Sequence, residues 1–164
     1  MRRIMIALGM VAIGALTPLA SQAQVQIGPT LAFHDDFDLG LGGTLTVQMP
    51  AIGEGIGFMA DFLMFFPSED NVDYLEINGN VTYDFRLEGS AVQPFALLGL
   101  NVARASVDAG SLGDESNTEI GLNVGGGIAF NVGSLRPSLG GRFEISGGEG
   151  FVVFFTLPFE VSGN

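Results

Sequence analysis

Few residues of this sequence have side chains suited to acid–base or nucleophilic chemistry. The single histidine, His34, precedes Asp35 and Asp36, and Ser68 lies in the next acidic stretch. A histidine beside a serine or a carboxylate is typical of hydrolytic and acyl-transfer sites. The spacing here matches no catalytic motif, and the simpler interpretation is a solvated histidine in an acidic loop. We therefore expect no catalytic residue in this chain.

A second candidate is the segment from Asp108 to Glu119, which partly resembles a calcium-binding loop. It has Asp at position 1, Gly113 at position 6 and Glu119 at position 12. Positions 3 and 5 should carry acidic or amide side chains, but Gly110 and Leu112 stand there. We interpret the segment as a flexible acidic loop, and we expect neither a metal site nor a cofactor.

The composition excludes several classes of function. The 164 residues include 6 Arg, no Lys and 18 acidic residues, which gives a net charge of −12. Binding to nucleic acid requires a basic surface that neutralises phosphates, so nucleic acid is not an expected partner. The absence of cysteine excludes disulfides and thiolate metal sites. Hydrophobic residues nevertheless make up 47% of the chain, which is unusual for so acidic a protein.

The first 23 residues have the organisation of a secretory signal peptide. Arg2 and Arg3 precede an apolar run over residues 4–16, and the small residues of Ser21-Gln22-Ala23 suit a cleavage site. The apolar run is shorter than the ~20 residues that a membrane-spanning helix needs. We predict a cleaved signal over residues 1–23 and one domain over residues 24–164.

The rest of the chain alternates apolar and polar residues with a period of two, which is typical of β-strands. Eight such segments fill nearly the whole domain, and each has about the length that crosses a bilayer at a tilt. The segments are residues 25–34, 39–49, 56–66, 74–85, 92–104, 119–132, 135–146 and 151–161. The pattern predicts an all-β protein, an eight-stranded antiparallel up-and-down barrel.

The charged residues of these segments fall on the face opposite the apolar one, apart from Arg104 at a strand end. Lipid excludes charge, because an Arg at the bilayer midplane costs ~2 to 4 kcal/mol. We therefore expect the apolar face to contact lipid and the interior to be filled by side chains. Buried charge must be paired, so we predict a structural polar network with Arg142 at its centre. Its members are Asp61, Glu76, Glu119, Arg142 and Glu144.

The connections alternate between long acidic loops and short, nearly neutral turns. This alternation is the pattern of outer-membrane barrels, in which the short turns face the periplasm. The acidic loop side is expected to attract divalent cations weakly, although simple solubility also explains the charge. The loops are residues 34–38, 67–73, 106–118 and 147–150, and the turns are 50–55, 86–91 and 133–134.

The whole domain resembles the small eight-stranded outer-membrane β-barrel family of the OmpA/OmpX type. The resemblance rests on residues 93–104, QPFALLGLNVAR, which are similar to the family's Pro-aromatic-Gly strand, and on the Gly-rich strand of residues 121–130, GLNVGGGIAF. It implies a transmembrane barrel in the outer membrane of a Gram-negative-type bacterium, with lipid, lipopolysaccharide and the barrel-insertion machinery as partners. Family members usually end on an aromatic residue, whereas five residues follow Phe159 here.

We predict an integral outer-membrane protein with a structural or surface role and no catalytic activity. Two alternatives remain open from the sequence. One is a secreted soluble barrel of the lipocalin type, with its apolar face inside and an apolar ligand bound there. The other is an enzyme that modifies lipid or peptide at the membrane rim, with His34 in its site.

Overall fold

The computed structural model describes residues 24–68, 72–108, 114–133, 135–145 and 149–161. The predicted signal peptide lies outside these residues. Within them the chain forms nine strands and no helix. No helix of the described ranges is long and apolar enough to cross a membrane. The strands are β1 (Gln24–His34), β2 (Asp38–Gln48), β3 (Ile56–Phe66), β4 (Val72–Asp84), β5 (Val92–Asp108), β6 (Asp114–Phe130), β7 (Ser138–Ile145), β8 (Gly150–Thr156) and β9 (Phe159–Glu160).

The strands form one closed antiparallel sheet. Each of the first eight pairs with its sequence neighbour, and β1 pairs with β2 on one side and with β8 and β9 on the other. The last two strands occupy one position in the sheet, because Leu157 and Pro158 interrupt a single strand. The prediction of an eight-stranded antiparallel barrel is confirmed.

The outer surface of the barrel is apolar around its whole circumference. Burial alternates along β1 to β4, where every second side chain points into the barrel and the others point outward. Outward side chains on every part of the sheet are large and hydrophobic, and they include Leu31, Leu41, Phe62, Ile77, Leu98, Leu122, Phe143 and Phe155. A continuous apolar belt of this kind is the outer face of a membrane barrel.

The interior contains two kinds of side chain. Apolar residues fill part of it, namely Met59, Leu63, Phe65, Phe95, Leu97 and Phe154, all buried as predicted for a filled interior. Polar and charged residues fill the rest, and the largest fully buried side chain is that of Arg142. The barrel is thus reversed relative to a soluble protein, with charges inside and hydrocarbon outside.

The hairpin of β5 and β6 differs most from its prediction. Both strands have 17 residues, and the predicted loop 106–118 is strand as far as Asp108 and again from Asp114. Residues 109–113 lie outside the described ranges. All side chains from 116 to 120 are exposed, so neither face there is apolar and the period of two is missing. Backbone pairing, seen between Ser106 and Ser116, extends this hairpin without an apolar face.

We expect the substitution Leu98→Arg to destabilise the barrel in lipid. Leu98 lies within β5, and 61% of its surface is exposed on the outer face. An Arg near the bilayer midplane lowers the free energy of unfolding by about 2–4 kcal/mol, whereas near an interface the cost falls to about 0–1 kcal/mol. Urea titration in lipid vesicles, followed by circular dichroism, measures the difference. Leu87→Arg, in the turn after β4, is the matched control. Equal stabilities for the two variants would contradict a lipid-facing surface.

Candidate functional site in the barrel interior

Arg142 on β7 makes ion pairs with three carboxylates inside the barrel. Its Nε donates to Glu144 Oε1 at 2.8 Å, its Nη1 to Asp61 Oδ1 at 3.2 Å and its Nη2 to Glu76 Oε2 at 2.7 Å. All four side chains are buried, with Arg142 1% exposed. The three acids come from β3, β4 and β7, so the guanidinium connects strands on opposite sides of the barrel.

Asparagine side chains extend this polar cluster, and the sequence analysis missed them. Asn78 Nδ2 donates to Asp61 Oδ1 at 2.9 Å, and Asn101 Nδ2 donates to Glu144 Oε2 at 2.9 Å. Asn123 Nδ2 donates to the side-chain oxygens of Asn78 and Asn80 at 2.8 and 3.0 Å. Their inward positions on the strands were visible in the alternation. Asparagine carries no charge, however, so a prediction based on buried charge does not include it.

Glu119 lies apart from the cluster, and its predicted place in the network is not what the structure shows. It is exposed, and its Oε1 accepts a hydrogen bond from Asn117 Nδ2 at 2.7 Å. In the register of β6 and β7, Arg142 lies opposite Gly125, six residues from Glu119 along β6. Six residues along a strand correspond to ~20 Å, so Glu119 lies at the mouth of the barrel.

His34, at the end of β1, is fully buried. The expectation of a solvated histidine is therefore wrong. Its ring packs edge-on against Phe37, Phe65 and Tyr74, with centroid separations of 4.8, 5.7 and 5.7 Å. The apolar face of Phe37 stacks on Tyr74 at 3.6 Å and covers the histidine from the loop end. Aromatic contacts of this kind supply the packing that a solvated side chain would lack.

The pairing of His34 with Ser68 that a hydrolytic site would need does not occur. Ser68 instead donates its hydroxyl to Asp38 Oδ2 at 2.6 Å and its backbone N–H to the same oxygen at 3.1 Å. These two hydrogen bonds stabilise the charged carboxylate and hold the pKa of Asp38 below its ordinary value. Asp38 is at the rim, above the apolar belt. The contact connects the first loop to the second, so the hydroxyl of Ser68 is bonded to Asp38 and not to the imidazole.

The segment resembling a calcium loop is also not a loop in its second half. Residues 114–119 belong to β6 and pair with β5, and Asp108 is the last residue of β5. The backbone of residues 114–119 is therefore an antiparallel ladder and not the tight turn that a calcium loop requires. The expectation of a flexible loop is wrong for these residues as well.

The turn end of the barrel has its own polar group and an open vestibule. Arg136 Nη2 donates to Asp84 Oδ2 at 2.6 Å, and Gln48 Nε2 donates to the same oxygen at 3.0 Å. The vestibule has a volume of about 570 Å³ and is lined by these residues together with Gln24, Gln26 and Gln93. A separate space of only about 20 Å³ lies deeper, between Met59 and Phe95. Described side chains therefore block the barrel between its two ends.

The arrangement of these residues favours a structural role over catalysis. Each acid of the central cluster contacts the same guanidinium, and all four side chains are buried. Paired charges in a dry interior hold a fixed geometry, because separating them would leave uncompensated charge. The cluster connects strands on opposite sides of the barrel through its interior.

We expect Arg142→Met to lower the free energy of unfolding by about 3–5 kcal/mol, because three buried carboxylates lose their common partner. Urea titration measures the change, with gel mobility of unheated samples as the readout of folding, since the chain contains no tryptophan. Arg86→Met is the matched control, because Arg86 is exposed and lies 4.0 Å from exposed Glu54. Its effect stays below about 1 kcal/mol.

The double variant Arg142→Met, Glu76→Gln separates loss of charge pairing from loss of packing. Removing one of the unpaired charges restores part of the lost stability if the ion pairs matter. Unchanged stability in Arg142→Met, or no recovery in the double variant, would contradict the central role of Arg142.

Comparison with known proteins supports the same architecture. No protein-family model matches the sequence, and no curated protein matches it significantly. Three solved structures are similar over most of their length. The N-terminal β-barrel domain of Pseudomonas aeruginosa OprF has a TM-score of 0.65 at 14% identity, covering 84% of this chain and 96% of that one. Neisserial surface protein A has a TM-score of 0.58 at 19% identity, with 86% and 97% covered.

Ail, the attachment invasion locus protein of Yersinia pestis, has a TM-score of 0.59 at 17% identity, covering 84% of this chain and 95% of that one. A further structure describes Ail as an outer membrane protein in a phospholipid bilayer nanodisc. At these identities the likeness concerns the fold. This chain has the fold of the small eight-stranded transmembrane β-barrels, the class that its sequence resembles.

Proposed function

We propose that this protein is an integral protein of the outer membrane of a Gram-negative-type bacterium, with a structural or surface role and no catalytic activity. The observation that carries the proposal is the reversed polarity of the closed barrel. Its outward side chains are hydrophobic, whereas Arg142 and its three acids are buried inside. Burying charge while exposing hydrocarbon costs free energy in water and is favourable only in lipid.

The structure does not favour the lipocalin alternative. A barrel that binds an apolar ligand needs an apolar cavity inside and a polar surface outside. The described interior is crossed by the cluster of Arg142, and the deeper space between its walls is about 20 Å³. The rim-enzyme alternative loses support because His34 is buried and because Ser68 is bonded to Asp38 instead.

The acidic loop end suits partners at the cell surface. Asp35, Asp36, Asp73 and Glu149 are exposed there, and Glu119 lies at the mouth. Such a rim attracts divalent cations weakly, and the same cations bridge the phosphates of lipopolysaccharide. One structure of Ail is in complex with a heparin analogue, sucrose octasulfate. The negative rim of this chain disfavours a polyanion of that kind, so we propose lipopolysaccharide through cations and not a sulfated sugar.

The C-terminal strand is the part that the barrel-insertion machinery would engage. Phe159 on β9 pairs with Ile27 of β1 and points outward. It provides an aromatic residue near the end of the chain, as the family resemblance implies for insertion. We include this machinery as a partner of the proposed function.

We expect the folded protein to occur in the outer-membrane fraction and to migrate faster on gels before boiling than after. A closed barrel keeps all its backbone hydrogen bonds in detergent and stays compact until heat opens it. Membrane fractionation and paired gels of boiled and unboiled samples provide the measurement. Full recovery of the protein in detergent-free extract would contradict the proposal and would revive the soluble barrel.

We also expect no stable ion conductance from the barrel. An eight-stranded interior is only wide enough for side chains, and here Leu63, Phe65 and Phe154 fill it together with Arg142. Recordings in planar bilayers containing the purified protein are the measurement, with protein-free detergent as the control. Reproducible single-channel steps that scale with the amount of protein would overturn a filled interior.

A further inference from the structure

We propose that His34, Glu76 and Glu144 form a buried binding site for a divalent transition-metal ion of the zinc class. One ligand atom from each of these side chains lies within 4.8 Å of the others. All three are buried, with exposures of 0% for His34 and Glu76 and 3% for Glu144. The strands β1, β4 and β7 bring them together from widely separated positions in the sequence.

The cluster contains donor atoms that have no hydrogen-bond partner among the described residues. They are His34 Nε2 and Glu76 Oε1, and the hydroxyl of Tyr74 beside them is also without one. The other imidazole nitrogen, Nδ1, lies 3.2 Å from Asp35 Oδ1, and a proton on Nδ1 donated to that carboxylate leaves the Nε2 lone pair free for the ion. In that tautomer Nδ1 no longer accepts the backbone N–H of Asp36, whose nitrogen is 3.0 Å away. Buried polar atoms without partners are costly, and a metal ion satisfies nitrogen and oxygen lone pairs together.

The charge of the interior favours the same occupant. One guanidinium faces three carboxylates in the central cluster, which leaves two excess negative charges when all are ionised. A divalent cation neutralises both at once. Glu76 Oε2 contacts Arg142, so its unpartnered oxygen Oε1 remains to bind the ion. Both oxygens of Glu144 already accept hydrogen bonds, from Arg142 Nε and Asn101 Nδ2, so Glu144 would bind the ion through the second lone pair of one of them.

The donor set indicates the kind of metal. An imidazole nitrogen with carboxylate oxygens suits zinc and its neighbours, whereas calcium and magnesium prefer oxygen alone. Zinc binds these donors at about 2.0–2.2 Å, so small movements of the side chains suffice to close the site. Tyr74, whose ring lies 5.7 Å from that of His34, has a buried hydroxyl without a partner among the described residues and is a candidate for a further ligand.

An ion would reach the site from the loop end of the barrel. A cavity of about 190 Å³ lies there, lined by Phe37, Tyr74, Ala103, Asn117 and Glu119 among others. Exposed Asp35 and Asp36 stand next to the histidine at the rim and raise the local concentration of cations. The ring of Phe37, stacked on Tyr74, lies between this cavity and His34 and must move for an ion to pass.

A second group at the rim competes with this site. His34, Asp35 and Asp36 also place ligand atoms within 4.8 Å of one another, but both aspartates are exposed. The interior trio is favoured, because the unpartnered Nε2 belongs to it, whereas Nδ1 on the rim side would hold the proton and donate it to Asp35. The interior acids also have an excess of charge that needs compensation. The experiment must therefore separate the two groups.

The test is metal binding to the purified full protein in detergent, measured by zinc titration calorimetry and by the visible spectrum of bound Co²⁺. The expected result is one ion per chain. His34→Ala weakens binding at least tenfold, which is about 1.4 kcal/mol. Because His34 is the sole histidine and the chain has no cysteine, His34→Ala also changes the cobalt spectrum. Glu76→Gln weakens zinc binding in the same way.

Two control variants complete the design. Asp36→Asn removes an acid of the rim group and leaves Asp35 in place, and Glu119→Gln removes an acid at the mouth; both retain zinc affinity within about threefold. Gel mobility before and after boiling verifies that each variant is folded, which matters because Glu76 also contacts Arg142. No stoichiometric zinc binding, or binding lost in Asp36→Asn and kept in Glu76→Gln, would overturn the proposal. Neither result bears on membrane location, which fractionation tests separately.

Discussion

Closure of the sheet is the constraint on which the rest of this structure depends. In a bilayer no water is present to satisfy backbone N–H and C=O groups, so a sheet can cross only if it has no free edge. Here β1 meets both β2 and the pair of β8 and β9, and the ladder returns to its start. The alternation of inward and outward side chains follows from that geometry, because a strand that is hydrogen-bonded on both sides cannot rotate about its own axis.

Closure at eight strands also decides what the interior can contain. The space is too narrow for a water-filled channel and too wide to leave empty. Large side chains fill it, and their charges must compensate one another where solvent is excluded. Arg142 reaches acids on three strands, Asn101 satisfies the second oxygen of Glu144, and Asn78 donates to the oxygen of Asp61 that Arg142 also contacts. The polar interior thus connects distant strands, as an apolar core does in a soluble protein.

Much of the fold was predictable from the sequence, because a period of two is a local signal. The faces of β1 to β4 and the inward positions of Asp61, Glu76, Arg142 and Glu144 followed directly from alternation. The height of each residue along the barrel axis could not be predicted from the alternation, since it depends on strand tilt and register. For that reason Glu119 was expected near Arg142 but lies at the mouth. The burial of His34 was missed too, because Phe37, Phe65 and Tyr74 converge on it from separate parts of the chain.

The place where β1 meets the end of the chain has a consequence for the timing of assembly. Gly28 is pressed against Leu157 at this seam, where a Cβ would lie 2.2 Å from the carbonyl oxygen of Leu157. The seam therefore joins the first strand to the last through a contact that only glycine permits. All other neighbours in the sheet are consecutive, so hairpins can form while the chain is still being delivered. The seam cannot form until Phe159 has arrived, and the loop that it closes spans the whole domain, which makes it the slowest contact to find. Until its two ends meet, the chain is therefore an open sheet with two unpaired edges, and only their pairing makes it a barrel.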